Sequence, residues 1–165
     1  MQKAQLWDFG KWILGVSILA VTLSRPANAD TTGRATVTSG DTLRIDGKEF
    51  RLYGLDAPER DQYCEDQYLK TYQCGTYAKD ALRRMIGRLD VTCVEGKEDE
   101  EGRVLATCYA GDTNLNSRMV RDGWAISRPE ENQNYVPLEK MAKQQKKGIW
   151  QYIFEDPKKW REYNQ

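Results

Sequence analysis

Asp46-Gly47 stands between two short β-rich runs, Thr42–Ile45 and Lys48–Leu55, and no other feature constrains the fold as much. A two-residue hairpin matches the twist of its strands only when both central residues take positive φ, which Asp tolerates and Gly adopts freely. With Ala35–Thr38 in front, the segment reads as a three-stranded meander. From Tyr77 the period changes. Ala78, Ala81, Leu82, Met85, Ile86 and Leu89 recur at helical spacing, with Lys79, Asp80, Arg83 and Arg84 between them, so an amphipathic helix is predicted. Val91–Val94 and Val104–Tyr109 flank an acidic, Gly-containing segment and are predicted as a second hairpin, strands four and five. Leu115–Arg121 and Leu138–Lys147 read as helices stopped at Gly123 and Gly148. Together these predict a five-stranded Greek-key barrel with about three helices packed outside it.

Met1–Ala29 has the layout of a secretory signal: Lys3 and Lys11, an apolar run from Trp12 to Leu23, then a small-residue exit at Ala27-Asn28-Ala29. The 12 apolar residues of that run fall well short of the ~20 needed to cross a bilayer. The leader carries no cysteine for acylation, so no stable membrane association is expected after cleavage. Export to the periplasm or the medium follows as an expectation, with a single domain over residues 30–165. Its core spans about residues 34–150, and residues 151–165 form an aromatic tail. Taking Lys3, Lys11, Arg25 and Asp8 from a chain with 25 basic and 25 acidic residues leaves it near −2. That charge gives no global attraction for polyanions.

All four cysteines, Cys64, Cys74, Cys93 and Cys108, fall after the leader, where an oxidising compartment favours two disulfides. Cys93 and Cys108 sit on the two strands of the second hairpin, which pairs them and leaves Cys64 with Cys74. No C-x-x-C occurs, which argues against a zinc site.

The chain contains no histidine. Ser-His-Asp, Cys-His and His-ligated zinc chemistry are thereby excluded, and carboxylates, Lys, Arg, Tyr and a hard metal remain. Polar residues gather where strands end. Gly40-Asp41-Thr42 opens the second strand, Arg51-Leu-Tyr-Gly-Leu-Asp56-Ala-Pro-Glu59 runs along the third into its turn, and Gly102-Arg103 opens the fifth.

In these residues the sequence resembles the staphylococcal nuclease (thermonuclease) family, whose signature reads D-G-D-T, then R-L-x-x-x-D-x-P-E, then G-R. The likeness extends over about Arg34–Trp150, through Leu115-Asn116, Arg121-Asp122-Gly123-Trp124-Ala125 and Gly148-Ile149-Trp150. The resemblance implies an OB-fold barrel and a Ca²⁺ held by the carboxylates of Asp41 and Asp56, the backbone carbonyl of Ala57 and waters. It implies Glu59 as general base or water-orienting group, and Arg51 and Arg103 as phosphate clamps. Hard oxygen ligands suit Ca²⁺, and guanidiniums suit the charge of a five-coordinate phosphorane. The implied function is an exported, monomeric nuclease that prefers single-stranded DNA and RNA and leaves 3′-phosphate products.

Three positions depart from the family pattern. Ser39 replaces the first acidic residue of the signature, and Glu100 and Glu101 stand where Lys and Tyr are common. The acidic loop Glu95–Glu101 is expected to repel a polyanion. Lys140, Lys143, Lys146 and Lys147 read as a solvated helix face, and the tail from Tyr152 to Tyr163 as packing back onto the barrel. Two readings compete with a nuclease: a catalytically silent OB-fold module that binds nucleic acid or a protein, and a disulfide-stapled structural protein.

Overall fold

The structure, a computed structural model, describes residues 30–164, so the expected leader over Met1–Ala29 lies outside the described residues. Two short strands separated by Arg34 come first, β1 (Asp30–Gly33) and β2 (Ala35–Val37). The meander follows as predicted. β2 pairs antiparallel with β3 (Thr42–Ile45), and β3 with β4 (Lys48–Leu52) across a turn in which Asp46 and Gly47 take φ of 48° and 84°. The third run does not continue to Leu55. It breaks at Gly54, which turns the chain with φ 87° into β5 (Leu55–Asp56). A β-carbon on Gly54 would lie 2.7 Å from Asn132 and Tyr135, so this turn needs glycine for space as well as for conformation.

An excursion with the antiparallel pair β6 (Cys64–Glu65) and β7 (Thr71–Tyr72) leads into helix α1 (Cys74–Ile86). α1 begins three residues before Tyr77, because its first turn is anchored by Cys74 and by the backbone of Gly75 rather than by the apolar stripe; Leu89 lies beyond its end and is exposed. Ala78, Ala81, Leu82 and Ile86 are buried, as the periodicity requires.

The second hairpin is β8 (Val91–Glu98) with β9 (Val104–Ala110), and Cys93 stands directly opposite Cys108. Both expected disulfides are present, Cys64–Cys74 and Cys93–Cys108. β10 (Thr113–Asn114) folds back on β9, and the Asn114 side chain caps α2 (Leu115–Arg121) by accepting from Ser117 N–H. β11 (Ile126–Ser127) then pairs with β5.

Helix α3 (Val136–Gln144) ends three residues before Lys147, since Lys146 rather than Gly148 takes the first left-handed conformation and Lys147 N–H closes onto the Ala142 carbonyl. Lys140 and Lys143 on the helix and Lys146 and Lys147 after it are exposed, and Lys143 lies 4.4 Å over the Trp150 ring. A fourth helix, α4 (Pro157–Asn164), lies in the segment read only as an aromatic tail.

The main ladder runs β1-β8-β9-β4-β3-β2, with β10 beside β9; the β4–β9 pair is parallel and the rest are antiparallel. It is a mixed sheet of seven strands, left open between its end strands, which the chain links through Arg34. The expected five-stranded barrel is thus met in part: β1 and β2, one run bent at Arg34, pair with β8 on one side and β3 on the other, but the strands number seven and the α-helices four rather than about three. Leu43, Ile45, Phe50, Leu52 and Val91 from the sheet pack with Leu82 and Met119 from the helices. Full burial of such a side chain stabilises the fold by roughly 1.5–3 kcal/mol. A second apolar cluster joins Cys64, Cys74 and Ile149 to Trp150, Tyr152 and Phe154, so the tail does pack back. No helix among the described residues is long and apolar enough to cross a membrane.

Candidate active site

Asp41, Arg51, Asp56, Glu59 and Arg103 converge on one open cleft of about 830 Å³. Asp41 stands at the entry to β3. Its Oδ1 accepts hydrogen bonds from Ser39 Oγ (2.7 Å) and Thr42 Oγ1 (2.9 Å), and its Oδ2 from Ala57 N–H at 3.4 Å. Ser39, the departure from the family signature, thus acts here as a donor that orients Asp41. Asp56 sits on β5, and the break at Gly54 places it in a strand pair with β11 rather than on the β4–β9 ladder. It is 1% exposed.

Glu59 is held by a backbone lock. Its N–H donates to Gln62 Oε1 (3.1 Å), its carbonyl accepts from Gln62 N–H (2.8 Å), and Gly75 N–H donates to the Gln62 carbonyl (3.2 Å). A β-carbon on Gly75 would lie 1.7 Å from the Glu59 carbonyl oxygen, so the start of α1 must be glycine for the two backbones to meet. Burial raises the Glu59 carboxyl above its ordinary value. The Arg161 hydrogen bond opposes this, while the nearby charges of Asp41 and Asp56 add to it.

The two expected phosphate clamps already have carboxylate partners. Arg51 donates to the Leu55 carbonyl (3.0 Å) and to Glu131 Oε1, and its Nε lies 3.5 Å from Asp99. Arg103 donates from Nε to the same Asp99 oxygen at 2.8 Å. Burial works to raise the Asp99 carboxyl, but the backbone and side-chain hydrogen bonds of Arg103 outweigh it and hold it low. Asp99 is therefore the hinge pin between the two arginines. The acidic loop faces the cleft through Glu98, Asp99, Glu100 and Glu101, whereas Glu95 turns away to Thr31 and Lys48.

Two further arginines enter from late in the chain, and the sequence reading misses both. Arg128, just after β11, donates to Asp56 Oδ2 at 2.5 Å. Arg161, on α4, donates to Asp56 Oδ1 (3.0 Å) and Oδ2 (2.8 Å) and to Glu59 Oε1 (2.5 Å). Glu131 is also missed; it accepts from Gly54 N–H at 2.8 Å and so ties the β4–β5 turn to Arg51. For α4 a signal was present: Asp156-Pro157 is a helix-start pair, and Asp156 Oδ1 accepts from Lys158 N–H at 2.9 Å.

The donor chemistry of the site fits a hard cation. Asp41, Asp56 and Glu59 offer only carboxylate oxygens, and guanidiniums sit on Asp56 and Glu59 as stand-in positive charge. As arranged, however, no three metal-binding side chains among the described residues gather closely enough to hold an ion, and both Asp56 oxygens are taken by arginine. Nine acidic and six basic side chains line the cleft, near −3 when all are ionised.

A β-sheet domain that presents paired carboxylates between arginines at one cleft has the chemistry for phosphate esters. The model of the staphylococcal nuclease homologue family matches residues 49–152. The chain belongs to that family. Similar proteins include a micrococcal nuclease of Shigella flexneri, 31% identical over 84% of this chain and 85% of its own. A succinoglycan biosynthesis protein, ExoI, of Rhizobium meliloti (strain 1021) is 31% identical over 90% and 80%. An uncharacterized endonuclease of Escherichia coli is 32% identical over 74% and 78%.

Proposed function

We propose that the protein is a metal-dependent nuclease that hydrolyses phosphodiester bonds of DNA and RNA, prefers single strands, leaves 3′-phosphate and 5′-hydroxyl ends, and works as an exported monomer on an OB-type barrel. The observation that carries this reading is the convergence of Asp41, Asp56, Glu59, Arg51 and Arg103 on one cleft. Membership of a nuclease family and relatives named as nucleases support it.

Asp41 and Asp56, with the carbonyl of Ala57, would hold a Ca²⁺, which when bound supplies Lewis-acid polarisation of the scissile phosphate. Glu59 takes the proton from the attacking water, a role suited to a carboxyl whose affinity for protons is already raised. Arg51 and Arg103 exchange their carboxylate partners for phosphoryl oxygens and stabilise charge that accumulates on the phosphorane. Ser39 and Thr42 keep Asp41 in one orientation while this happens.

Digestion of denatured DNA, duplex DNA and RNA, followed by end-group analysis, tests the reading. The expected result is faster cleavage of single strands and products that carry 3′-phosphates. Tight binding without cleavage would favour the silent binding module, and neither binding nor cleavage the structural scaffold.

A further inference from the structure

We propose that Arg161 is an internal counter-cation of the cleft: its guanidinium, which also holds Glu59, competes with a divalent cation for Asp56, and α4 loosens when the cation wins. The inference rests on the reading of Asp56 as a cation ligand.

Three observations carry it. The first is occupancy. Arg161 is the only hydrogen-bond donor to Asp56 Oδ1 among the described residues, and it also holds Oδ2 and Glu59 Oε1. Asp56 is almost fully buried, so departure of Arg161 would leave Oδ1 a desolvated acceptor without a donor, on a carboxylate then paired only with Arg128 at Oδ2. Only another positive group can replace it, and a guanidinium does not leave by losing its proton. The exchange is therefore one of cation for cation.

The second is delivery. The tail reaches the cleft along a built path rather than as a loose end. Ile149, Trp150 and Tyr152 pack on the Cys64–Cys74 disulfide, and Glu65 and Ile153 exchange backbone hydrogen bonds of 2.9 and 2.7 Å. Gln62, fully buried, donates to the Glu155 carbonyl at 2.7 Å while its Oε1 accepts from Glu59 N–H. One side chain thus fixes both the residue expected to act as base and the start of α4.

The third is what holds α4 beyond that point. Pro157 is buried, but Lys158, Lys159, Glu162, Tyr163 and Asn164 are exposed. Among the described residues, every side-chain hydrogen bond from this helix to the body of the protein comes from Arg161. Removal of the Asp56 and Glu59 contacts leaves α4 little to dock with.

The test is calorimetric titration of Ca²⁺ into full-length wild type, Arg161→Gln and Arg161→Lys, with amide exchange of residues 158–164 in wild type with and without Ca²⁺. Loss of charge-assisted hydrogen bonds from a competitor is expected to tighten Ca²⁺ binding by roughly tenfold or more in Arg161→Gln. Arg161→Lys, which keeps the charge but not the fork, should fall between. Exchange over 158–164 should speed up when Ca²⁺ is added. Equal Ca²⁺ affinity in all three proteins, with exchange unchanged, would overturn the competition while leaving the cation site standing. Absence of Ca²⁺ binding in all three would overturn the cation site itself, and the competition with it.

Discussion

Glu59 combines two demands: burial raises its affinity for a proton, and Arg161 partly offsets that burial. A carboxyl whose folded pKa is raised binds its proton more tightly folded than unfolded. Its contribution favours folding below the unfolded pKa and is lost as pH rises through the folded one. Glu59→Gln removes this titration, so the variant should melt higher than wild type near neutral pH, with the gap closing toward acid. The same substitution removes the base, and turnover should fall by about 10²–10⁴. In wild type the acid limb of kcat/KM should lie above the ordinary carboxylate range. A wild-type acid limb at the ordinary value would assign the proton to another group. Arg51 and Arg103 are argued to act on the transition state, so each Arg→Lys change should lower kcat at least as much as it weakens binding. A change in KM alone would make them docking groups.

The element that organises the cleft is the segment from Asp56 to α1, and its disulfide ties it to the tail. Opening the Cys64–Cys74 loop should cost about 3 kcal/mol in the chain-entropy model, and so should opening the Cys93–Cys108 loop. Both double Cys→Ala variants should therefore melt lower, but only Cys64→Ala/Cys74→Ala should speed amide exchange over residues 148–164, because the tail packs on that disulfide. Equal exchange in the two variants would show that the tail docks independently of it. This part of the molecule also marks how far the sequence could be read. Asp41, Arg51, Asp56, Glu59 and Arg103 were legible because each belongs to a short local motif at a strand end. Arg128, Glu131 and Arg161 were not, since they meet Asp56 or Arg51 across separations of 72, 80 and 105 residues, which only tertiary packing brings together. The hairpins were legible from turn chemistry and period. The break at Gly54 was not, because β4 and β5 form one continuous apolar and charged run in sequence.

At the scale of the whole molecule the governing quantity is charge. A cleft lined near −3 must receive a polyanion, and four of its acidic groups come from the loop Glu98–Glu101. Repulsion from these groups is screened by salt along with attraction from the arginines, so KM for single-stranded DNA should vary only shallowly with salt. Glu100→Lys/Glu101→Tyr should lower KM at low salt and steepen the slope; unchanged KM and slope would show that the loop does not meet the substrate. All of this depends on one claim, that the cleft cleaves phosphodiesters with the help of a cation. The direct measurement is incubation of the folded wild-type protein and Asp56→Ala with denatured DNA, in Ca²⁺ and in excess chelator, following release of acid-soluble nucleotides. Release is expected from wild type in Ca²⁺ alone, abolished by chelator and by Asp56→Ala. Intact DNA in every tube, or equal release with chelator present, would contradict it.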